Sequence, residues 1–410
     1  MSRPRHPLRH AGFTIVEVLV GVAIALIGMV FMFQAMTVWE ARKRTTSAGS
    51  DAQVTGSIAM FTLERDLKLA GYGFGNGTAM GCTVSAHDSS RAGAGLFDFP
   101  MVPLVITDGV GGAPDTLAVL YGSGTTMSSA QTFSNLTPLL MRMNTRTGMR
   151  RGDLVIAADG GNAVCGLFEV VGNANADALS IDFGAGGYTN YMDNANVSGS
   201  VAAVALTATE LEALQAKFLN NSGVARYNNN TAHGVGIVGA AFNLGTAPRL
   251  NVWQITNRRI LSFTNTLDNQ ATATEVAEGV VNLQAEYGVD TDADGIVEWT
   301  AAAPAVWTQL RAVRVGLLAR SQQFEKNAVL FNDPANLLDD TEVRVTRNPP
   351  AWAGGAFTMT NLDGTADSDP LGADEGPVGA TPCLPNYWRC YRYRVYETVI
   401  PLRNMLWGMD

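Results

Sequence analysis

Between Val18 and Met36 the chain is almost wholly apolar, with Gln34 its one strongly polar member, and directly before this run stands a carboxylate, Glu17. A helix needs about 20 mostly apolar residues to cross a bilayer, and the run supplies them. A lone carboxylate in hydrocarbon costs several kcal/mol, so an acid at that depth marks a functional site in need of a cationic partner. Arg3, Arg5 and Arg9 precede the run with no acid among them. That asymmetry places the N-terminus in the cytoplasm and the bulk of the chain across the membrane. A secretory signal would need a small-x-small cleavage site after the apolar core. Ala35 could contribute to one, but Glu17 and the short basic leader argue against it.

The residues Gly12-Phe13-Thr14-Ile15-Val16-Glu17-Val18-Leu19-Val20 resemble the prepilin signal of type IV pilins and type II secretion pseudopilins. The resemblance implies a leader, 1–12, removed by a prepilin peptidase after Gly12. Phe13 would then be the first mature residue, N-methylated, and its new amine the cation facing Glu17. It further implies a membrane helix over 13–37, an amphipathic continuation over 38–70, and a periplasmic or extracellular β-rich domain over 71–410.

Composition agrees with that placement. Apolar residues make up 47% of the chain and charged ones 16%, which describes a folded chain. The formal charge is −9, and loss of the arginine-bearing leader makes it more negative. An acidic protein lacks the clustered basic surface that phosphate binding needs, so nucleic acid is not an expected partner. Cys82, Cys165, Cys383 and Cys390 allow three pairings, and sequence does not choose among them. An oxidising periplasm favours disulfides. A Cys383–Cys390 bridge would staple a C-terminal loop and leave Cys82 with Cys165.

Trp39, Glu40, Arg42, Lys43 and Arg44 form an interfacial belt where a span leaves the bilayer. Helical spacing then resumes, with Val54, Ile58 and Phe61 on one stripe and Met60, Leu63 and Leu67 beside it. Glu64, Arg65, Asp66 and Lys68 are expected on the other side. The glycines of 71–77 end the helix, which would run about 85 Å at 1.5 Å per residue. The helix end Leu63-Glu64-Arg65-Asp66-Leu67-Lys68-Leu69-Ala70-Gly71-Tyr72 is similar to that of the PilW family of minor pilins.

Beyond it the pattern turns to short apolar runs. Strands are expected at Thr116–Tyr121, Asp153–Ala157, Val164–Val171, Leu179–Phe183 and Val201–Leu206, with a short helix over Ala208–Phe218 and a polar loop over 220–230. Residues 253–263 read as a hairpin. Next come Glu278-Gly279-Val280, Tyr287, an acidic turn, Trp299, Trp307 and the strand Leu310–Arg320. This order is similar to PilW-type minor pilins and to J-type pseudopilins. Tyr391–Asn404 would be the last strand, and the Gly-, Pro- and Asp-rich 349–381 a long loop without a core-forming pattern. The fold class is therefore α+β, type IV pilin-like: a long N-terminal helix on a mainly antiparallel β domain with long loops.

Asp290, Asp292 and Asp294 alternate along a tight turn that ends in Gly295. Acids so spaced converge on one point and suit calcium, with the Ile296 carbonyl and the Glu298 carboxylate at the seventh and ninth places of an EF-hand-like loop. Ala301 stands where the usual bidentate Glu would be, so affinity should be weak, and a solvated acidic turn is the plainer reading. Tyr387, Trp388, Tyr391, Tyr393 and Tyr396, interleaved with arginines, read as core packing. Catalytic motifs are missing: His87 and His233 are isolated, and no Gly-x-Ser-x-Gly, HExxH or phosphate loop occurs. No enzymatic role and no required cofactor is expected.

The resemblance implies a minor pilin that primes pilus assembly at or near the tip. Its partners would be other minor pilins, the major pilin, a PilY-type tip adhesin, the inner-membrane assembly platform and membrane lipid. The alternatives are a J-type pseudopilin of a type II secretion system, a membrane-anchored adhesin or ligand-binding domain, and a membrane-anchored hydrolase.

Overall fold

The computed structural model describes residues 14–75, 79–88, 91, 96–124, 130–136, 140–145, 148–150, 152–159, 164–170, 179–182, 239–324, 329–330, 346, 348–365, 381–382 and 385–406. Gly12, Phe13, His233, Cys383, the strand expected at Val201–Leu206, the helix expected at Ala208–Phe218 and the loop 220–230 lie outside them. The chain divides into two compact units. One comprises residues 1–51, 321–347 and 368–392, and the other residues 52–320, 348–367 and 393–410.

Helix α1 spans Ile15–Leu69, 55 residues without a proline. Its start is set by Thr14, whose hydroxyl and carbonyl oxygens both accept the Glu17 N–H, satisfying a donor that a helix start leaves free. Its end is set by Gly71, at φ +78°, a left-handed conformation that glycine adopts without strain. The side-chain amide of Asn404 donates towards the carbonyls of Lys68, Leu69 and Ala70 at 3.1–3.4 Å, capping oxygens that the helix cannot use internally.

The strands are β1 (Thr83–His87), β2 (Leu96–Pro100), β3 (Leu104–Thr107), β4 (Thr116–Tyr121), β5 (Gln131–Leu136), β6 (Leu140–Met143), β7 (Leu154–Asp159) and β8 (Val164–Glu169). They continue as β9 (Ser180–Asp182), β10 (Gly239–Gly245), β11 (Arg249–Thr256), β12 (Ile260–Asn265), β13 (Thr274–Glu278), β14 (Val280–Val289), β15 (Glu298–Thr300) and β16 (Leu310–Arg320). Short pairs follow at β17 (Val329–Leu330) with β20 (Thr381–Pro382) and β18 (Ala351–Trp352) with β19 (Gly355–Ala356), then β21 (Tyr393–Pro401) and a last helical turn α2 (Arg403–Leu406).

Among the described residues of the larger unit, three sheets of four or more strands form, ordered β2-β1-β8-β7-β10-β5-β6-β9, β13-β12-β11-β4-β3 and β15-β14-β16-β21. Among the described residues every pairing is antiparallel except β1 with β8. Alternation along β7 explains the first sheet: Leu154, Ile156 and Ala158 enter one buried cluster, Val155 and Ala157 another. The strand is buried on both faces, so it reads as one apolar run. The other two sheets share a core with α1, in which Leu63, Leu67, Leu117, Trp253, Leu283, Tyr287 and Val315 are fully buried. In the smaller unit Trp388 and Tyr391 are buried, Trp388 within a 3-10 turn and Tyr391 just after it, and the Tyr391 hydroxyl donates to Pro385 O.

Residues 349–381 are not wholly patternless: 351–356 make a tight hairpin, and Phe357 is buried after it. Trp352 lies over Gly316, where an added Cβ would meet its ring at 2.7 Å.

Candidate functional site

The second half of α1 has two faces of different chemistry. The inner face consists of Ala52, Gly56, Ala59, Met60, Leu63, Asp66, Leu67 and Ala70, all buried. Small residues dominate because backbone and sheet approach closely there. A Cβ on Gly56 would fall 2.0 Å from the Tyr396 ring, and the Tyr396 hydroxyl donates to Gln53 O at 2.8 Å.

Asp66, expected on the solvent side with its charged neighbours, is buried instead. One carboxylate oxygen accepts from Tyr121 OH (3.1 Å), the other from Asn251 Nδ2 (2.7 Å) and Trp253 Nε1 (3.0 Å). A buried carboxylate is tolerated when its lone pairs meet donors, and here β4 and β11 supply them. Burial, then the adjacent Asp66 charge, pushes the Tyr121 phenol well above its ordinary value, which keeps it a donor. The signal for this placement was helical spacing: position 66 falls on the stripe of Gly56, Ala59, Leu63 and Ala70. Glu64 and Lys68 stay outside, 2.7 Å apart as an exposed i,i+4 pair.

The outer face corrects a second expectation. Val54, Ile58 and Phe61, one of the two adjacent apolar stripes expected on the packed side, remain 56%, 50% and 70% exposed. Val54, Ile58 and Phe61 thus face outward, while Met60, Leu63 and Leu67 face the sheets together with the small Ala52, Gly56, Ala59 and Ala70. In the first half of α1, Ile15–Met36 is long and apolar enough to cross a membrane, and none of it is buried. Glu17 sits exposed in the first helical turn.

A carboxylate of another kind joins β4 to β14. Asp115 is buried, and its two oxygens accept the N–H groups of Gly109 (2.9 Å) and Ala285 (2.8 Å). Burial raises its pKa to about 6, against the lowering effect of those hydrogen bonds.

The acidic turn between β14 and β15 brings together Asp290, Asp292 and Asp294, with one carboxylate oxygen of each within 4.8 Å of the others. Gly295 bends it at φ +84° and Ala293 at +61°. Glu298, expected to join them, does not. Its Oε2 accepts the Thr291 N–H and hydroxyl, both at 3.2 Å. Cys82 and Cys165 form a disulfide with Cα atoms 6.0 Å apart, and Cys390 is also disulfide-bonded.

Residues 244–404 match the family model of PilW, the type IV pilus-assembly protein W. That stretch, 161 of the chain's 410 residues, supports assignment to the PilW family. Neither the curated proteins nor the solved structures contain a match to the chain. The PilW match runs from the end of β10 to Asn404, so it includes Asn251 and Trp253, which hold Asp66, and Asn404, which caps α1. The match supports a type IV pilus-assembly-related protein.

Proposed function

We propose that the chain is a minor pilin that primes type IV pilus assembly and takes a place at or near the pilus tip. The observation that carries this is the outer face of α1, where Val54, Ile58 and Phe61 present apolar surface. Covering a large apolar side chain is worth about 1.5–3 kcal/mol when complete, and less here because each starts partly covered. Helices of neighbouring subunits, packing beside Ile15–Met36 and then along this stripe, would cover both. In the membrane half the gain comes from close packing between helices, since lipid is already apolar.

The N-terminal signal supports the same reading. Cleavage after Gly12 would leave the Phe13 amine, on the same or a neighbouring chain, as the cation for Glu17, setting axial register between subunits. The acidic, disulfide-bearing β unit suits the periplasm and then the cell exterior. Its bulk favours a tip place, where a PilY-type adhesin could sit, over a place along the shaft. The J-type pseudopilin reading shares the prepilin signal, while the match to a pilus-assembly family favours the pilus.

Deleting the gene should remove surface pili and leave protein secretion intact. Loss of secretion with normal piliation would support the pseudopilin. Mass spectrometry of the mature protein should find methylated Phe13 at its start, and an uncut Met1 would contradict the processing.

A further inference from the structure

We propose that the turn Asp290–Gly295 binds calcium, an inference that does not rest on the pilus reading. Three carboxylates converge there, but clustered acids alone are ordinary surface chemistry. The second observation is Asp290 itself. It is 6% exposed, and its Oδ1 is fully enclosed without a hydrogen-bond donor. One carboxylate oxygen of Asp290 lies within 4.8 Å of those offered by Asp292 and Asp294. The Arg311 Nε lies 3.7 Å from Asp290 Oδ2, too far for a hydrogen bond. A buried carboxylate oxygen left without a donor is costly, and a cation held by all three acids would satisfy it while relieving their mutual repulsion.

The donor set selects the ion. The turn offers only oxygen, with no His or Cys between Asp290 and Glu298, which disfavours zinc. Calcium accepts irregular shells of six to eight oxygens, whereas magnesium demands near-ideal octahedral geometry. Gly295 occupies the sixth place of the loop at φ +84°, where calcium loops of this spacing require a glycine to turn. Strands β14 and β15, paired at Val289 and Glu298, close the loop in place of helices. Water and backbone carbonyls would fill the rest of the shell. The nearby Arg311 cation and the engagement of Glu298 by Thr291 reduce the available negative charge, so the affinity belongs to the range of about 10⁻⁴–10⁻³ M typical of extracellular modules.

Terbium tests this on the full chain in detergent after EDTA treatment, because Trp299 on β15 lies beside the turn and can sensitise its luminescence. Tb³⁺ should give a saturable signal that Ca²⁺ displaces and Mg²⁺ displaces at least tenfold less well. Calcium should also raise the melting temperature. Asp292→Asn with Asp294→Asn keeps the acceptors for Asp294 N–H and Ile296 N–H and should weaken both responses at least tenfold. The proposal is overturned by no saturable signal, by equal displacement with Mg²⁺, or by responses unchanged in the double variant.

Discussion

The inner and outer faces of α1 between residues 52 and 70 are both rich in apolar residues, yet one is buried and the other is not. The inner face mixes large and small side chains: Met60, Leu63 and Leu67 alternate with Ala52, Gly56, Ala59, Ala70 and one acid. The outer face carries Val54, Ile58 and Phe61. Hydrophobicity alone therefore does not choose between the faces. Close approach decides, because small residues admit Tyr396 and the sheets, and because Asp66 meets three donors that only the inner side provides. On the proposed reading, the apolar stripe left outside after such fitting is surface kept for a partner.

Four perturbations probe the faces and the sheets behind them, taken here from the largest effect on stability to the smallest. Asp66→Ala removes the acceptor of Tyr121, Asn251 and Trp253 and should cost about 3–5 kcal/mol, measured by urea denaturation of the detergent-solubilised chain. A loss under about 1 kcal/mol would mean the network does not anchor the helix. Gly56→Ala drives a methyl into the Tyr396 ring and should cost about 1–3 kcal/mol, with Tyr396→Ala in the same chain restoring part of it. If the two losses simply add, the close contact is not what selects glycine.

The third perturbation is pH, which acts on neither face of α1 but on the sheets behind it, through Asp115 between β4 and β14. Its pKa is raised in the folded state to about 6, so the protonated form is favoured by folding. That contribution is fully present below about pH 3.8 and is lost as pH rises through 6. Stability should therefore increase by about 1 kcal/mol from pH 7 to pH 5, and Asp115→Ala should flatten this dependence even as it lowers stability throughout. Last, Phe61→Ser on the outer face should change stability by no more than about 0.5 kcal/mol while reducing recovery of partner subunits in a pull-down. Glu17→Val belongs with it: insertion unchanged, co-assembly impaired.

Much of the fold was legible where one pattern dominates. The 253–263 hairpin appears as β11 and β12, Thr116–Tyr121 is β4, Leu310–Arg320 is β16, and the last strand lies within Tyr391–Asn404 as Tyr393–Pro401. Local turn chemistry and apolar runs suffice there. Strands β1, β2, β3, β5, β6 and β10 were not read, because they are short or broken by Ser, Asp, Gly and Asn, and their pairing is set by distant partners such as β10 between β7 and β5. At the site, the helix and its apolar stripe were visible, but not its orientation. Three large side chains at helical spacing say that something covers them, and the alternative stripe of glycine, alanine, leucine and aspartate needs the sheet's donors before it can be recognised as the inner one.

The central claim is that Val54, Ile58 and Phe61 are a contact between pilus subunits. Replacing Phe61 with a photo-crosslinking benzophenone amino acid in the producing cell, with exposed Val110 as the comparison site, tests it directly. The account predicts crosslinks from position 61 to other pilins, weakened by Glu17→Val, and far fewer from position 110. Crosslinks absent at 61, or equal at both sites, would contradict it.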